Sequence, residues 1–319
     1  MSPHAPPIAL FANHDSPQIQ ALAPLIEECG GQPLVFDIQL GGPSVPRFVI
    51  DDQRCLWDGV DLSGVRAIHI RCTSPNTLPT VPALTNARGY AQWSVDYLKE
   101  QEYQAAVYSF FEELAARGSL VVNRLTKGYP DHSTKAQLYH WLRTNGFRAP
   151  RTLTTTDPNA LLQFRAEVGR LVVKPAIGVG STREVQAADL ERLAEVSRCP
   201  VMLQELIEGA TIRVHVVGNS MVAAVRVYSD SIDSRTAPER FEEWPMPPDE
   251  QERIVRATRG LGLYYAAWDM IVNDRGEHVY LDCNPGPYVL WVGEPYRSRV
   301  LRELARFLVG FARNDGGCE

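Results

Sequence analysis

Two apolar segments near the C-terminus, each with an aspartate inside it, constrain the fold most strongly. Residues 264–272 contain Asp269, residues 278–283 contain Asp282, and a short polar stretch separates them. Two apolar runs joined by a turn predict a β-hairpin. A carboxylate among buried apolar residues is costly unless a cation or hydrogen-bond donors compensate it. The chain must therefore fold so that both aspartates face such a partner.

The spacing of the polar residues predicts a metal site on this hairpin. Asp282 and Asn284 lie two residues apart, so they point to the same face of a strand and Cys283 points to the other. If the loop is the four residues 274–277, Asp269 lies directly across from Asp282. Three oxygen ligands would then converge, which suits Mg²⁺. The alternative is that the aspartates cap turns or pair with arginines.

A second pattern predicts an anion site around Lys174, which ends the apolar segment 170–174. A buried ammonium group needs a carboxylate or phosphate partner. The glycine-containing stretch 178–182 follows, and it can bring backbone N–H groups and hydroxyls close to an anion. A surface lysine beside an ordinary loop is the alternative, because a short glycine loop is a weak signal.

The segment 204–209 has two possible interpretations. It is either the end of a strand followed by a turn, or a strand edge whose backbone groups meet an adenine. Its spacing does not decide between them.

The first third of the chain alternates apolar strands with helices, which predicts a parallel sheet covered by helices. Strands are expected at 8–12, 33–38, 67–70 and 120–123, helices at 18–29 and 92–116, and a small hairpin within 41–62. The later pattern predicts helices at 133–145, 158–168, 249–259 and 296–311, and hairpin strands at 212–217 and 221–227 around a glycine turn.

Composition limits the class of protein. The 319 residues carry a net charge of −6 without a basic block, which argues against a nucleic-acid partner. No run of about 18 apolar residues or secretory signal is present, and the six scattered cysteines form no CxxC pair. We therefore expect a soluble cytoplasmic protein without a membrane partner. The P-loop and protein-kinase motifs are absent.

Five elements in a fixed order resemble the ATP-grasp superfamily. They are Lys135, the stretch 172–182 with Lys174, the segment 204–209, Asp269, and the run 282–286. Within the superfamily the chain is most similar to the branch of ribosomal-protein glutamate ligases and graspetide (microviridin-type) macrocyclases. The resemblance covers about residues 120–312.

The resemblance implies an α/β chain with an ATP-grasp fold, in which two α+β subdomains clasp ATP behind an N-terminal α/β pre-grasp domain. The expected boundaries are 1–124, 125–203 and 204–319. ATP and Mg²⁺ are the implied cofactors. The implied nucleotide-binding residues are Lys135, Lys174, Gly178, Gly180, Ser181, Thr182, Gln204, Glu205, Leu206, Ile207 and Glu208. The implied metal ligands are Asp269, Asp282 and Asn284, and Arg213 and Arg235 would face the phosphates or the acyl intermediate.

Two positions depart from the family pattern. Thr211 stands where relatives usually place an acidic residue for the ribose, a role that Glu208 could take, and Asp282 stands where relatives usually have Glu.

The implied activity is ATP-dependent joining of a carboxylate to an amine or hydroxyl through an acyl phosphate, with release of ADP and phosphate. A peptide side chain or a small amino acid or metabolite could supply the carboxylate. The alternative from a different functional class is a nucleotide-binding regulatory protein without catalytic activity. A homo-oligomer is expected by resemblance.

Overall fold

A computed structural model describes residues 5–13, 15–38, 46–71, 87–125, 135–175, 182–232 and 238–313. The N-terminal part is a four-stranded sheet in the order β2-β1-β6-β7, and its pairs are parallel. A small antiparallel sheet, β3-β4-β5, lies beside it. The elements are β1 (Pro7–Ala12), α1 (Pro17–Glu28), β2 (Gln32–Asp37), β3 (Phe48–Ile50), β4 (Cys55–Trp57), β5 (Val60–Asp61), β6 (Ala67–Ile70), α2 (Ala87–Ala116) and β7 (Leu120–Val122).

The central part is an antiparallel sheet in the order β10-β9-β11-β8. Its helix α4 begins as the sequence predicts, because the side chain of Asp157 accepts a hydrogen bond from Asn159 N at 2.8 Å and Gly169 ends the helix at φ +81°. The elements are α3 (Lys135–Thr144), β8 (Thr152–Thr155), α4 (Pro158–Val168), β9 (Leu171–Lys174), β10 (Arg183–Glu184), α5 (Ala187–Leu190), a 3₁₀ turn (Leu193–Arg198) and β11 (Val201–Glu205).

The C-terminal part is a five-stranded antiparallel sheet in the order β14-β13-β12-β15-β16. One face packs on α3 and α6 through buried residues such as Val214 and Trp268. The opposite face carries Arg213 and Asp269. The elements are β12 (Ala210–Val217), β13 (Ser220–Tyr228), β14 (Arg240–Glu243), α6 (Pro248–Gly260), β15 (Tyr265–Val272), β16 (His278–Asn284), a 3₁₀ turn (Val289–Trp291) and α7 (Tyr296–Arg313).

One apolar core joins the two ends of the chain. Ile19 and Leu22 of α1 belong to the same buried cluster as Leu304 and Leu308 of α7. Asn123, just after β7, adds a polar bridge: its amide donates to the carbonyl oxygens of Tyr265 and Pro285, and its oxygen accepts from the backbone N of Tyr264 and Tyr265. The N-terminal sheet is therefore fixed against β15 and the turn after β16.

The expected strands and helices are confirmed, with ends that differ by a few residues. The mixed α/β fold and the parallel N-terminal sheet are also confirmed. Strands β8, β10 and β14 were not expected, because they are short and largely polar segments at or near sheet edges. Strand β11 runs to Glu205, so the expected boundary at 203 falls inside a strand, and the division into three domains stays a prediction. In the part of the chain that the structure describes, no helix is both long and apolar enough to cross a bilayer.

Candidate active site

The β15–β16 hairpin places Asp269 directly opposite Asp282, as predicted. That pairing was predicted on the condition that the loop has four residues, and this loop length is wrong. The strands end at Val272 and begin again at His278, which leaves a five-residue loop. A register shift after Asp269 compensates, because Leu281 is an extra residue in β16 between the partners of Asp269 and Met270. Such a bulge bends the strand locally and leaves the extra residue unpaired in the ladder.

Each aspartate forms an ion pair with a cation from a different element. Lys135, the first residue of α3, lies 2.9 Å from Asp282 Oδ2. Arg213 of β12 is in register with Asp269, and its Nη1 lies 2.7 Å from Asp269 Oδ1. The Arg213 side chain is 4% exposed and that of Asp269 is 28% exposed, so this pair extends from the protein interior to the cleft.

The bulge residue Leu281 supplies a carbonyl oxygen that two side chains share. Tyr139 of α3 donates its hydroxyl to Leu281 O at 2.7 Å, and Lys174 Nζ lies 3.4 Å from the same oxygen. Lys174 is 9% exposed at the end of β9. The prediction that this lysine is buried is therefore confirmed, and its ammonium group points toward the strand that carries Asp282.

Lys135, Lys174, Asp269 and Asp282 line one cleft between the central and C-terminal sheets, with a cavity volume of about 380 Å³. The lining includes ten expected site residues, namely Lys135, Lys174, Thr182, Gln204, Glu205, Leu206, Ile207, Glu208, Asp269 and Asp282, and it also includes Thr211. The wall is mixed in charge, with lysines and carboxylates close together. It offers an anionic ligand and a divalent cation partners in the same space.

The segment after β11 forms one wall of the cleft. Glu205 N donates to Arg151 O and Leu206 N donates to Arg170 O, so these two amides already have partners, and an adenine here would meet other backbone groups. Gln204 is buried, and its amide donates to Thr152 Oγ1 at 2.9 Å. This hydrogen bond holds β11 beside β8, and Gln204 also contributes to the cleft lining.

Glu208 was expected to bind the ribose, because Thr211 stands where relatives usually have an acidic residue. Arg170 is a partner of this glutamate. Glu208 and Thr211 both line the cleft, and Glu208 forms an ion pair with Arg170. Arg170 also binds Glu184 at 2.7 Å. Glu208 is thus close enough to the cleft for the expected role, which stays a prediction.

Some expected residues have other positions. Asn284 is half-buried, and its Oδ1 accepts a hydrogen bond from Gly286 N at 3.0 Å, which shapes the turn after β16. Neither it nor Arg213 belongs to the described lining of the cleft, although Arg213 reaches it through Asp269. Gly178, Gly180, Ser181 and Arg235 lie outside the described residues.

Tyr139 and Arg170 are among the residues at the cleft that were not expected. Tyr139 is four residues after Lys135, so the helical period places both on one face of α3, and this spacing could have identified it. Arg170 precedes β9 and has no comparable sequence signal.

The electrostatics of the site follow from burial. Burial, followed by the charge of Asp282, raises the pKa of the Tyr139 hydroxyl, so it remains a hydrogen-bond donor. Burial and the charge of Asp282 likewise raise the pKa of Cys283, whose thiol stays protonated behind the strand. Neither group can act as a nucleophile at neutral pH.

The donor set fits a magnesium ion. Two carboxylates in register on neighbouring strands present hard oxygen ligands on the cleft side, next to lysines suited to phosphate. Each carboxylate has a cationic partner in this structure. A bound divalent cation would neutralise the negative charge of the carboxylates in place of these partners.

Comparison with known proteins gives an independent result. A family model described as an ATP-grasp domain matches residues 132–287. The solved ATP-grasp ligase PsnB, complexed with a phosphomimetic variant of a minimal precursor, Mg and ADP, is 26% identical, with a TM-score of 0.79 over 96% of this chain and 98% of PsnB. A search of curated proteins finds no match.

Two further solved structures share the fold. The macrocyclase MdnC from Microcystis aeruginosa MRC, bound with precursor peptide MdnA, is 19% identical, with a TM-score of 0.78 over 95% of this chain and 99% of MdnC. The D-cycloserine synthetase DcsG is 16% identical, with a TM-score of 0.59 over 96% of this chain and 100% of DcsG. The chain therefore contains an ATP-grasp domain at residues 132–287, and its similarity to PsnB over nearly its whole length supports an ATP-dependent ligase.

Proposed function

We propose that this ligase uses ATP to activate a carboxyl side chain of a peptide and joins it to an amine or hydroxyl. The observation that carries the proposal is the row Asp269–Asp282–Lys135 on the wall of one cleft, with Lys174 beside it and Arg213 paired to Asp269 behind it. Such a row can neutralise a triphosphate and offers no protein nucleophile. That is what phosphoryl transfer to a carboxylate requires.

In the first step the chain's own residues hold and neutralise the reactants. Lys135 and Lys174 contact phosphate oxygens after exchanging their present partners, Asp282 and Leu281 O, for them. Asp269 and Asp282, with Asn284 as the further expected ligand, would hold Mg²⁺, which would supply positive charge to the phosphates. A carboxylate oxygen of the substrate attacks the γ-phosphorus, the bond to the bridging oxygen breaks, and ADP leaves with that electron pair.

In the second step the amine or hydroxyl attacks the acyl carbon. The bond between that carbon and the phosphate oxygen breaks, phosphate leaves, and the proton of the nucleophile passes to phosphate or solvent. Arg213 lies where it can stabilise the negative charge that develops, because it is buried and already directed at Asp269. Expulsion of water from the cleft would protect the acyl phosphate from hydrolysis.

The peptide is favoured over a small metabolite by the similarity to PsnB, which was solved with a minimal precursor. The similarity to the D-cycloserine synthetase DcsG, at a lower TM-score, keeps a small amino-acid substrate as the second candidate. A cytoplasmic location and a homo-oligomer stay predictions.

The test is incubation of the purified protein with ATP, Mg²⁺ and candidate peptides that contain both acidic and nucleophilic side chains. We expect ADP and phosphate in equal amounts, and a product lighter by one water for each bond formed. Lys174→Ala should abolish both signals, whereas Lys99→Ala serves as the control, because the Lys99 side chain is exposed on α2.

Release of AMP and pyrophosphate would contradict the acyl-phosphate mechanism. Loss of water from a free amino acid mixture but not from peptides would favour the second candidate.

A further inference from the structure

The backbone carbonyl of Leu281 lies at the outer edge of the C-terminal sheet, beside the candidate active site. Strand β16 is the last strand of that sheet, and its bulge leaves Leu281 without a paired residue on β15. Leu281 also lines the cleft, so a nucleotide that fills the cleft would exclude water from it. A carbonyl oxygen shielded from water needs a hydrogen-bond donor. Two side chains from other elements, α3 and β9, contact this oxygen.

The two contacts differ in strength. The Tyr139 hydroxyl donates to Leu281 O at 2.7 Å, whereas Lys174 Nζ lies 3.4 Å from it. Hydrogen bonds from nitrogen are usually about 2.7–3.2 Å long, so the lysine contact is the weaker one. The only other acceptor printed near that hydroxyl proton would be Gln204 Oε1, at 3.5 Å. The single proton of the hydroxyl is therefore directed at Leu281 O.

Helix α3 holds Tyr139 in a fixed position. The Tyr139 side chain is fully buried, and Leu138 and Leu142 of the same helix belong to the same apolar cluster. One turn earlier, Lys135 pairs with Asp282, the residue that follows Leu281. Helix α3 thus contacts two successive residues of β16, and it fixes the bulge rather than one atom of it.

This arrangement affects what Lys174 loses when it binds a phosphate. To reach a phosphate oxygen, the ammonium group must leave Leu281 O. In wild type that oxygen keeps its bond from Tyr139, so the lysine leaves no carbonyl without a donor. If the hydroxyl were absent, Lys174 would be the described side chain that remains at this oxygen. Its departure would then leave the carbonyl without either donor, which is costly.

We propose that Tyr139 is a positioning residue for Lys174, and that its bond to Leu281 O lets the lysine move to the phosphates of ATP at little cost. This inference rests on the proposed function and deepens it. Tyr139 does not belong to the lining of the cleft, so it acts through the carbonyl of the bulge and not by contact with the nucleotide.

A double-mutant cycle tests the proposal, with the variants Tyr139→Phe, Lys174→Met and the combination of both. The matched control is Tyr280→Phe. Tyr280 is also fully buried and is adjacent to Leu281, but its hydroxyl donates to Glu250 of α6. Affinity for ATP is measured on the full chain with Mg²⁺ by displacement of a fluorescent ATP analogue, which also reports weak binding. The unfolding temperature of each variant is recorded.

Tyr139→Phe is expected to weaken ATP binding by about tenfold, because the bound state now contains a carbonyl without a donor. Lys174→Met should weaken it by about tenfold or more. In the Lys174→Met background, Tyr139→Phe should change the affinity by less than about twofold, because the carbonyl then has the same partners with and without ATP. Tyr280→Phe should lower the unfolding temperature and leave ATP affinity unchanged.

A merely structural role of Tyr139 predicts a different result, namely an equal loss of affinity in both backgrounds. That outcome, or unchanged ATP binding by Tyr139→Phe, would overturn the proposal. A parallel assay with ATP, acidic peptides and hydroxylamine reports an activated carboxylate as a hydroxamate. If the cycle gives the expected result but neither hydroxamate nor ADP forms with any acidic peptide, the proposed function fails while the role of Tyr139 in ATP binding stands.

Discussion

At the scale of single residues, Asp282 has two functions that the structure ties together. It compensates the ammonium group of Lys135 at 2.9 Å, and it faces Asp269 across the hairpin. Asp282→Asn keeps the size of the side chain and removes its charge. We expect ADP formation to fall at least about 100-fold, because both magnesium binding and the placement of Lys135 depend on that charge. Steady-state rates at several magnesium concentrations measure this effect.

The control for this variant is Asp274→Asn, in the exposed loop of the same hairpin. It removes the same charge without touching the cleft, so its rates should match wild type.

Asp282→Asn should also lower the free energy of unfolding by about 1–3 kcal/mol, because Lys135 is only 10% exposed and loses its charged partner. Full turnover by Asp282→Asn would remove this residue from the metal site.

At the scale of elements, Gly209 controls how the segment after β11 packs on β15. Its φ is +152°, and a Cβ there would lie 2.3 Å from Val272 O. Gly209→Ala must therefore push the segment 205–208 away from the sheet. We expect a loss of about 2–3 kcal/mol in the free energy of unfolding and weaker ATP binding, because that segment lines the cleft.

Gly276→Ala is the matched control for the backbone strain alone. Gly276 also has a positive φ, of +74°, but nothing lies within 4 Å of its Cβ position, and it is remote from the cleft in the hairpin loop. It should cost about 1 kcal/mol and leave ATP affinity unchanged. Chemical denaturation and nucleotide titration of both variants distinguish strain from displacement. Equal effects of the two substitutions on ATP affinity would contradict this role of Gly209.

Regular elements followed from the sequence because their signals are local. The apolar period, the Asp157 cap and the glycine stops all act within a few residues. The bulge at Leu281 was not predictable, since the residue looks like any other apolar strand position and its extra place depends on the partner strand. That bulge nevertheless provides the carbonyl oxygen near Lys174.

At the scale of the whole molecule, the site depends on contacts between distant parts of the chain. Asp269, Asp282 and Lys174 were predictable because a charge in or beside an apolar segment is unusual wherever it packs. Lys135 followed only from the resemblance to the ATP-grasp superfamily. His69 and Tyr265 gave no such signal, because their contact arises from the packing of the N-terminal sheet on β15. Sequence reasoning thus predicted residues that line the cleft and missed the contacts between the two sheets.

The same interface should make stability depend on pH. Burial lowers the pKa of His69 from 6.5 to about 4, against the hydrogen bond of its Nδ1 to Val122 O at 3.1 Å. Below pH 6.5 the unfolded chain binds a proton that the folded chain excludes, so stability is full above that pH and is lost as pH falls toward 4. Over that range the loss amounts to about 3 kcal/mol from this residue.

The measurement is the free energy of unfolding by denaturant at several pH values between 7 and about 4.5, in wild type and in His69→Asn. The variant should be less stable at pH 7, and its stability should fall less steeply, by up to about 1.4 kcal/mol per pH unit. His140→Asn, on the exposed face of α3, should leave the slope of wild type unchanged. Parallel curves for wild type and His69→Asn would mean that His69 is accessible to protons in the folded protein, and they would contradict a closed interface between the two sheets.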